Sequence, residues 1–214
     1  WMNYEKQIQK IVVEDGVTSI GAYAFYNYSW VTEVDLPDTL VKIGDYALYG
    51  CSMTSIKLAD PLTTIGKYAF KNCDDLTEVV IPEGVTQIAT GAFYNNNKLT
   101  KVTLPSTLTI ICGEAFYNCR SLESIDIPDG VTSIGGYAFH YCLGLQSVEI
   151  PESVTEISQS AFYTCKGLEK VILHEDLKAI ESGAFEGCEK LVKINFPSTL
   201  ESLGGYAFRN TGLT

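Results

Sequence analysis

Of 214 residues only two are histidine, two tryptophan and two methionine. With His140 and His174 as the entire stock of imidazoles, a Ser-His-Asp relay has little to be built from, and no catalytic residue is expected. Positive charge is also scarce. Fifteen Lys and Arg stand against 26 Asp and Glu, a net charge of −11, which argues against a nucleic-acid partner or an anionic membrane surface. No apolar run approaches the roughly 18 residues that span a bilayer, so membrane insertion is not expected. Seven prolines and 46% hydrophobic residues exclude a disordered tail and are enough for a real core. No phosphate-cradling glycine loop stands out, because the glycines recur at the same points of a repeated phrase.

That phrase, close to I-P-x-G-V-T-x-I-G-x-x-A-F-x-x-C-x-x-L-x-x-V, returns about nine times. Its leading apolar residue falls at Val13, Leu36, Leu58, Ile81, Leu104, Ile127, Ile150, Leu173 and Phe196, steps of 23 with one of 22. A near-constant step without a linker predicts one solenoid domain over residues 1–214, one coil per phrase. Ala occurs in every repeat, from Ala24 to Ala207, followed by Phe in all but one, where Leu48 stands. Invariant Ala beside invariant bulk marks an interior with no spare volume at one place and a filled centre at the next. The V-x-I pair, as in Val102 and Leu104, has the period of a short strand with both aliphatics inward. Pro37, Pro82, Pro105, Pro128, Pro151 and Pro197 end that strand by removing an amide donor. A second extended stretch follows, as at 131–134. The expectation is therefore β-dominated coils, each with two short parallel strands and short helical or 3-10 turns, stacked about 4.8 Å apart.

This phrase resembles the BspA-like, or treponemal-type, leucine-rich repeat over essentially the whole chain. The stretch from Trp1 to Ile11, running into Val12, Val13, Glu14, Asp15, Gly16 and Val17, is similar to the lead-in of such proteins. The resemblance implies a right-handed leucine-rich-repeat superhelix, a secreted or cell-surface location, adhesion to other proteins, and no catalytic residues or cofactor to carry over. Three departures touch only corners: Pro61 is displaced, His174 replaces Pro, and the repeat with Cys51 and Met53 is one residue short. Trp1, Tyr4 and Ile8 at helical spacing suggest an amphipathic turn within a cap over residues 1–10.

Six of seven cysteines share one repeat position: Cys51, Cys73, Cys119, Cys142, Cys165 and Cys188. Tyr28, Asn96 and Thr211 fill it elsewhere, so no bridge is required there, and side chains leaving a ladder in parallel do not turn their Cβ atoms toward each other as a disulfide demands. Buried free thiols are expected, with disulfides as the alternative. Spacings of 22 or 23 place one ligand per coil, against a metal cluster.

The residues between the inward aliphatics point outward and vary freely: Val12, Asp35, Lys57, Val80, Thr103, Asp126, Glu149, Ile172 and Asn195. Such a row on a rigid sheet is where a solenoid stores specificity. Asp126 and Glu149, one rung apart, have the rough spacing of a glycosidase pair, but solvated carboxylates on an open face are the expectation, and two of them supply few of calcium's oxygens. Tyr26, Tyr49, Tyr94, Tyr117 and Tyr163 form an aromatic row, and Tyr23, Tyr46, Tyr68, Tyr137 and Tyr206 another, readable as a binding ridge or as stacked packing. His140, in the first of these rows, and His174, at a Pro corner, are expected to be ordinary surface or edge residues. Gly212, Leu213 and Thr214 mimic Ser52, Met53 and Thr54, so a further repeat, or end-to-end self-association hiding an uncapped edge, is expected there. The functional expectation is an extracellular, non-enzymatic module binding a protein or glycoconjugate. A spacer or stalk, or an accessory segment of a surface hydrolase, are the alternatives.

Overall fold

The computed structural model describes residues 8–214; the expected turn on Trp1 and Tyr4 falls outside them. The chain winds as a parallel β-solenoid. One sheet is built from β1 (Lys10–Val12), β3 (Glu33–Asp35), β6 (Glu78–Val80), β8 (Lys101–Thr103), β11 (Ser147–Glu149) and β13 (Lys170–Ile172). The other holds β2 (Ser19–Ile20), β4 (Lys42–Ile43), β5 (Thr64–Ile65), β7 (Gln87–Ile88), β9 (Ile110–Ile111), β10 (Ser133–Ile134), β12 (Glu156–Ile157), β14 (Ala179–Ile180) and β15 (Ser202–Leu203). Pairing is parallel throughout and joins residues one repeat apart, such as Val79 with Val102 and Ile88 with Ile111.

Both ladders are interrupted. In the first sheet β1 pairs β3, β6 pairs β8 and β11 pairs β13, with only the single bridges Ser55 to Glu78 and Ser124 to Ser147 between these pairs. In the second, the groups β2-β4-β5, β7-β9-β10 and β12-β14-β15 leave breaks after the third and sixth coils, counting the coil of Phe25 as the first.

The expected helical turns are not helices: no helix occurs among the described residues. In the second coil Ala47 and Tyr49 send their amides back three residues, to Gly44 and Tyr46. The intervening amides of Tyr46, Leu48 and Gly50 cross instead to the carbonyls of Lys67, Ala69 and Lys71, each at 2.9 Å. The cause is a left-handed residue every fourth place, here Tyr46 (φ 55°) and Gly50 (φ 71°), which stops each turn before an α-helical ladder can propagate. The corner is thus a third inter-coil hydrogen-bond ladder beside the two sheets.

Inside, Phe70, Phe93, Phe116, Phe139, Phe162 and Phe185 are fully buried and stack in one column, with centroids 5.2–5.5 Å apart and rings within 10° of parallel. The neighbouring Ala column, Ala69 to Ala184, is fully buried too, leaving no volume for a larger side chain. Coils approach so closely on one side that a Cβ on Gly135 would lie 2.4 Å from the amide nitrogen of Gly113, which explains the recurring I-G. In the short repeat, Ser52 alone separates the Cys51 column from the next inward column at Met53, where Cys73 and Leu76 enclose two residues. The register across it is simply 22, as Ile43 pairs Ile65. Large apolar side chains remain exposed in the last coil, among them Phe196, Leu203 and Tyr206.

Candidate binding face

Alternation in the first sheet places Ile11, Val34, Val79, Val102, Val148 and Val171 inward and their neighbours outward. Val12, Asp35, Lys57, Val80, Thr103, Asp126, Glu149 and Asn195 are exposed, and Ile172 is half-buried. The same alternation exposes a second row that reading the V-x-I pair alone misses: Lys10, Glu33, Ser55, Glu78, Lys101, Ser124, Ser147, Lys170 and Lys193. The period of two, carried one step toward the N-terminus, is the signal that finds it. The face is therefore two residues wide. Lys10 spans both rows, its ammonium 2.5 Å from Glu33 and 2.8 Å from Asp35, and these carboxylates raise its pKa. Lys57 reaches to Asp38 at the Pro corner, at 2.9 Å. Exposed pairs of this kind fix side-chain direction more than they stabilise.

Shallow depressions open along the face. One is bounded by Asp126, Glu149, Lys170, Ile172, Ser124 and Ser147, another by Lys57, Val80 and Pro82. Asp126 and Glu149 both line the first, which is open to solvent, with nothing to exclude water from a reacting bond. Next to it His174, at a Pro place, sets Nε2 3.1 Å from Glu149 Oε1 and Nδ1 3.8 Å from Glu152 Oε1. The departure from Pro thus couples a corner residue to the outward row, which the sequence alone did not indicate. Among the described residues no group of three His, Cys, Asp or Glu side chains could hold a metal ion.

The tyrosine rows lie at the corner ladder. Tyr26 stacks on Tyr49 at 4.6 Å and Tyr94 on Tyr117 at 4.4 Å, and the stack continues through His140 (4.7 Å) to Tyr163 (4.5 Å). Lys71 fills the row between Tyr49 and Tyr94, with its ammonium 4.1 Å from the Tyr94 ring centre. Tyr26 is exposed; Tyr49, Tyr94, Tyr117 and Tyr163 are half-buried against one another. His140, expected as a surface or edge residue, lies in the edge row but is only 8% exposed. Tyr68 leans across Gly91 and donates its hydroxyl to Glu114, two coils on, at 2.9 Å; burial first and that carboxylate second push its pKa up to about 12.

The family model for the BspA type leucine rich repeat region, in six copies, matches residues 2–123 and 109–214. The chain belongs to the BspA-type leucine-rich-repeat family. Two solved structures place this BspA-type chain among bacterial relatives. The leucine-rich repeat protein of T. pallidum is 27% identical, with a TM-score of 0.65 over 86% of this chain and 78% of its own. A leucine-rich repeat protein from Bacteroides ovatus is 23% identical, with a TM-score of 0.62 over 96% and 77%. No curated protein is significantly similar.

The thiols of this BspA-type solenoid form an internal column bonded to the corner. All seven cysteines are free. The thiols of Cys119, Cys142 and Cys188 each donate to the carbonyl of the Phe one coil back, Phe93, Phe116 and Phe162, at 3.2 Å, and Cys165 does so to Phe139 at 3.1 Å. Burial pushes Cys51, Cys119 and Cys188 up to about 12. Asn72, Asn95 and Asn118 add an amide ladder on left-handed corner residues, Asn95 to Asn72 at 3.1 Å and Asn118 to Asn95 at 2.8 Å.

Proposed function

We propose that this chain is a non-enzymatic binding module that recognises a protein or glycoconjugate outside the cell through the outward face of its first sheet. The observation that carries the reading is the contrast between inward columns that hardly vary and two outward rows that vary from coil to coil on the same strands. A rigid, preorganised face of this kind gains affinity from many modest contacts, because little ordering entropy is lost on binding. The thiols of the buried column, with pKa values raised by burial, suit an oxidising surrounding, since burial disfavours the reactive thiolate. The spacer or stalk reading shares the scaffold and differs in giving the face no task.

The test is an array of extracellular matrix proteins and glycans probed with the described chain, followed by two surface variants. One reverses the first-sheet face (Lys57→Glu, Thr103→Lys, Glu149→Lys); the other makes as many changes on the second-sheet face at Gln87, Ser133 and Glu156. Binding lost only in the first variant is the expected result. No retained ligand, or equal losses in both variants, would sink the module and leave the spacer.

A further inference from the structure

We infer that His140 is an acid-sensitive joint at the seam between the sixth and seventh coils, where taking up a proton opens the aromatic edge and uncouples the last three coils from the first six. The seam is one of two, with that after the third coil, where both sheet ladders are interrupted. The second sheet breaks there, between β10 and β12, and the first sheet offers only the bridge from Ser124 to Ser147. Ser158 Oγ, not a strand amide, occupies the carbonyl of Ile134, at 2.7 Å. The Phe column, the Cys165 thiol on the Phe139 carbonyl (3.1 Å), the amides of Gln146 and Gly167 on the carbonyls of Glu123 and Leu143 (3.1 and 3.0 Å) and the Ser153 hydroxyl on the Asp129 carbonyl (2.8 Å) also cross the seam, but its longest run of bonds is the corner ladder, in which the amides of Tyr137, Phe139 and Tyr141 reach Gln159, Ala161 and Tyr163 at 3.0, 2.8 and 2.9 Å.

His140 sits in that corner ladder. Its ring lies flat between Tyr117 and Tyr163, 9° and 7° from parallel, with Tyr141 edge-on at 4.5 Å and Tyr137 tilted at 5.4 Å. Its Nδ1 is buried and has no hydrogen-bond partner. The groups facing it are those four phenols and the backbone at Ser160, none of which carries a negative charge near neutrality. The carboxylates of this edge are engaged elsewhere, Glu114 by the Tyr68 hydroxyl and Glu186 by Arg209 at 2.6 Å, and the Lys166 ammonium beside Tyr141 is paired with Glu189 at 2.8 Å. A proton placed on this ring would add a desolvated charge without a counter-ion.

Burial holds the ring's pKa down at about 4, from 6.5. The open state therefore binds the extra proton first: stability is complete above pH 6.5 and falls as the pH drops toward 4. Two-state linkage makes opening about 20-fold more favourable at pH 5 than at pH 7, and roughly 120-fold at pH 4.

Hydrogen exchange of the Tyr137, Phe139 and Tyr141 amides, corrected for intrinsic rates, is to be compared from pH 7 to 4 in the native chain and in His140→Tyr, which restores the residue of the flanking coils. The many carboxylates titrate alike in both, so the difference reports His140. Opening at pH 5 is expected to rise by tens-fold more in the native chain than in the variant. Equal pH dependence would overturn the proposal. Should the variant not fold, NMR titration of the His140 ring decides alone: titration well below 6.5 supports the joint, and titration at or above 6.5, the sign of a cation held comfortably between two tyrosine faces, refutes it.

Discussion

Replacing Asn96 with Cys should make the protein more stable, and the size of the gain can be worked out from one column. Asn96 takes the place that cysteine holds in six other coils, and its amide donates to the Phe70 carbonyl at 2.9 Å as Cys119 donates to Phe93 at 3.2 Å. The donor is thus satisfied. The Oδ1 of the same side chain is not: it is buried without a partner in a residue 0% exposed. A stranded buried acceptor costs about 1–3 kcal/mol, and exchanging an N–H for a weaker S–H donor gives back about 0.5 kcal/mol or more. The net gain expected for Asn96→Cys is about 1–2 kcal/mol. Urea denaturation in reductant, followed by far-UV circular dichroism, should show the midpoint rise by roughly 0.5–1 M for a slope near 2 kcal/mol/M. The slope itself should not change, which guards against part of the solenoid unfolding separately. Asn96→Ala is the contrast: it removes the donor, strands the Phe70 carbonyl and opens a small cavity, so it should not reproduce the gain. A midpoint for Asn96→Cys at or below the parent value would refute the reasoning, because Oδ1 could not then be an uncompensated group.

Three further outcomes follow from the corner and the core. Gly91→Ala should destabilise by about 2–4 kcal/mol, since its Cβ would lie 2.1 Å from Tyr68 Cε1 at a φ of +59°; a thermal midpoint unchanged from the parent would contradict the placement of Tyr68 across the coil. Thr164, a β-branched residue at φ 56°, occupies a place where seven other coils carry Asn or Gly and one carries Tyr141, and Thr164→Asn should stabilise by about 1 kcal/mol in the same urea assay; a loss of stability would show that its hydroxyl or methyl contributes more than the backbone strain costs. Iodoacetamide at pH 8 should modify the native protein slowly and at Cys112 first, the one thiol only half-buried, although burial raises its pKa too; all seven should react in denaturant. Rapid native labelling at Cys142 or Cys165, whose pKa values burial holds well above the usual thiol range, would mean that the column is not closed.

Most of the scaffold was legible because nine copies of a phrase act as comparisons with one another. Columns that hardly change, such as those of Ala115 and Phe116, are the buried ones in every inner coil, and a pair such as Val102 and Leu104 has only one reading once its period is two. The corner was not legible in the same way. Left-handed backbone is announced by Gly91 and Asn95, but Tyr46, Tyr68 and Tyr137 occupy the same places and give no such sign, so a helical turn was the natural expectation. The burial of His140 was missed for a related reason. Its neighbours at that place are tyrosines, which tolerate an edge position whether wet or dry, and burial there depends on how rings from adjacent coils lie on each other, a distance in space that spacing along the chain does not contain. On the binding face, the varying residue between two constant ones drew notice, whereas Lys101 or Ser147, one step outside the constant pair, did not.

The repeat that runs through Cys51, Ser52 and Met53 with one residue fewer keeps its side chains in file with those of both neighbours. The bend following the thiol therefore absorbs a one-residue change of length without loss of register. Extra segments grafted at that bend, for instance between Asp74 and Asp75 or between Lys166 and Gly167, should project as independent loops while the winding beneath them continues undisturbed, so new specificities could be engineered along one flank of the rod without redesigning its interior.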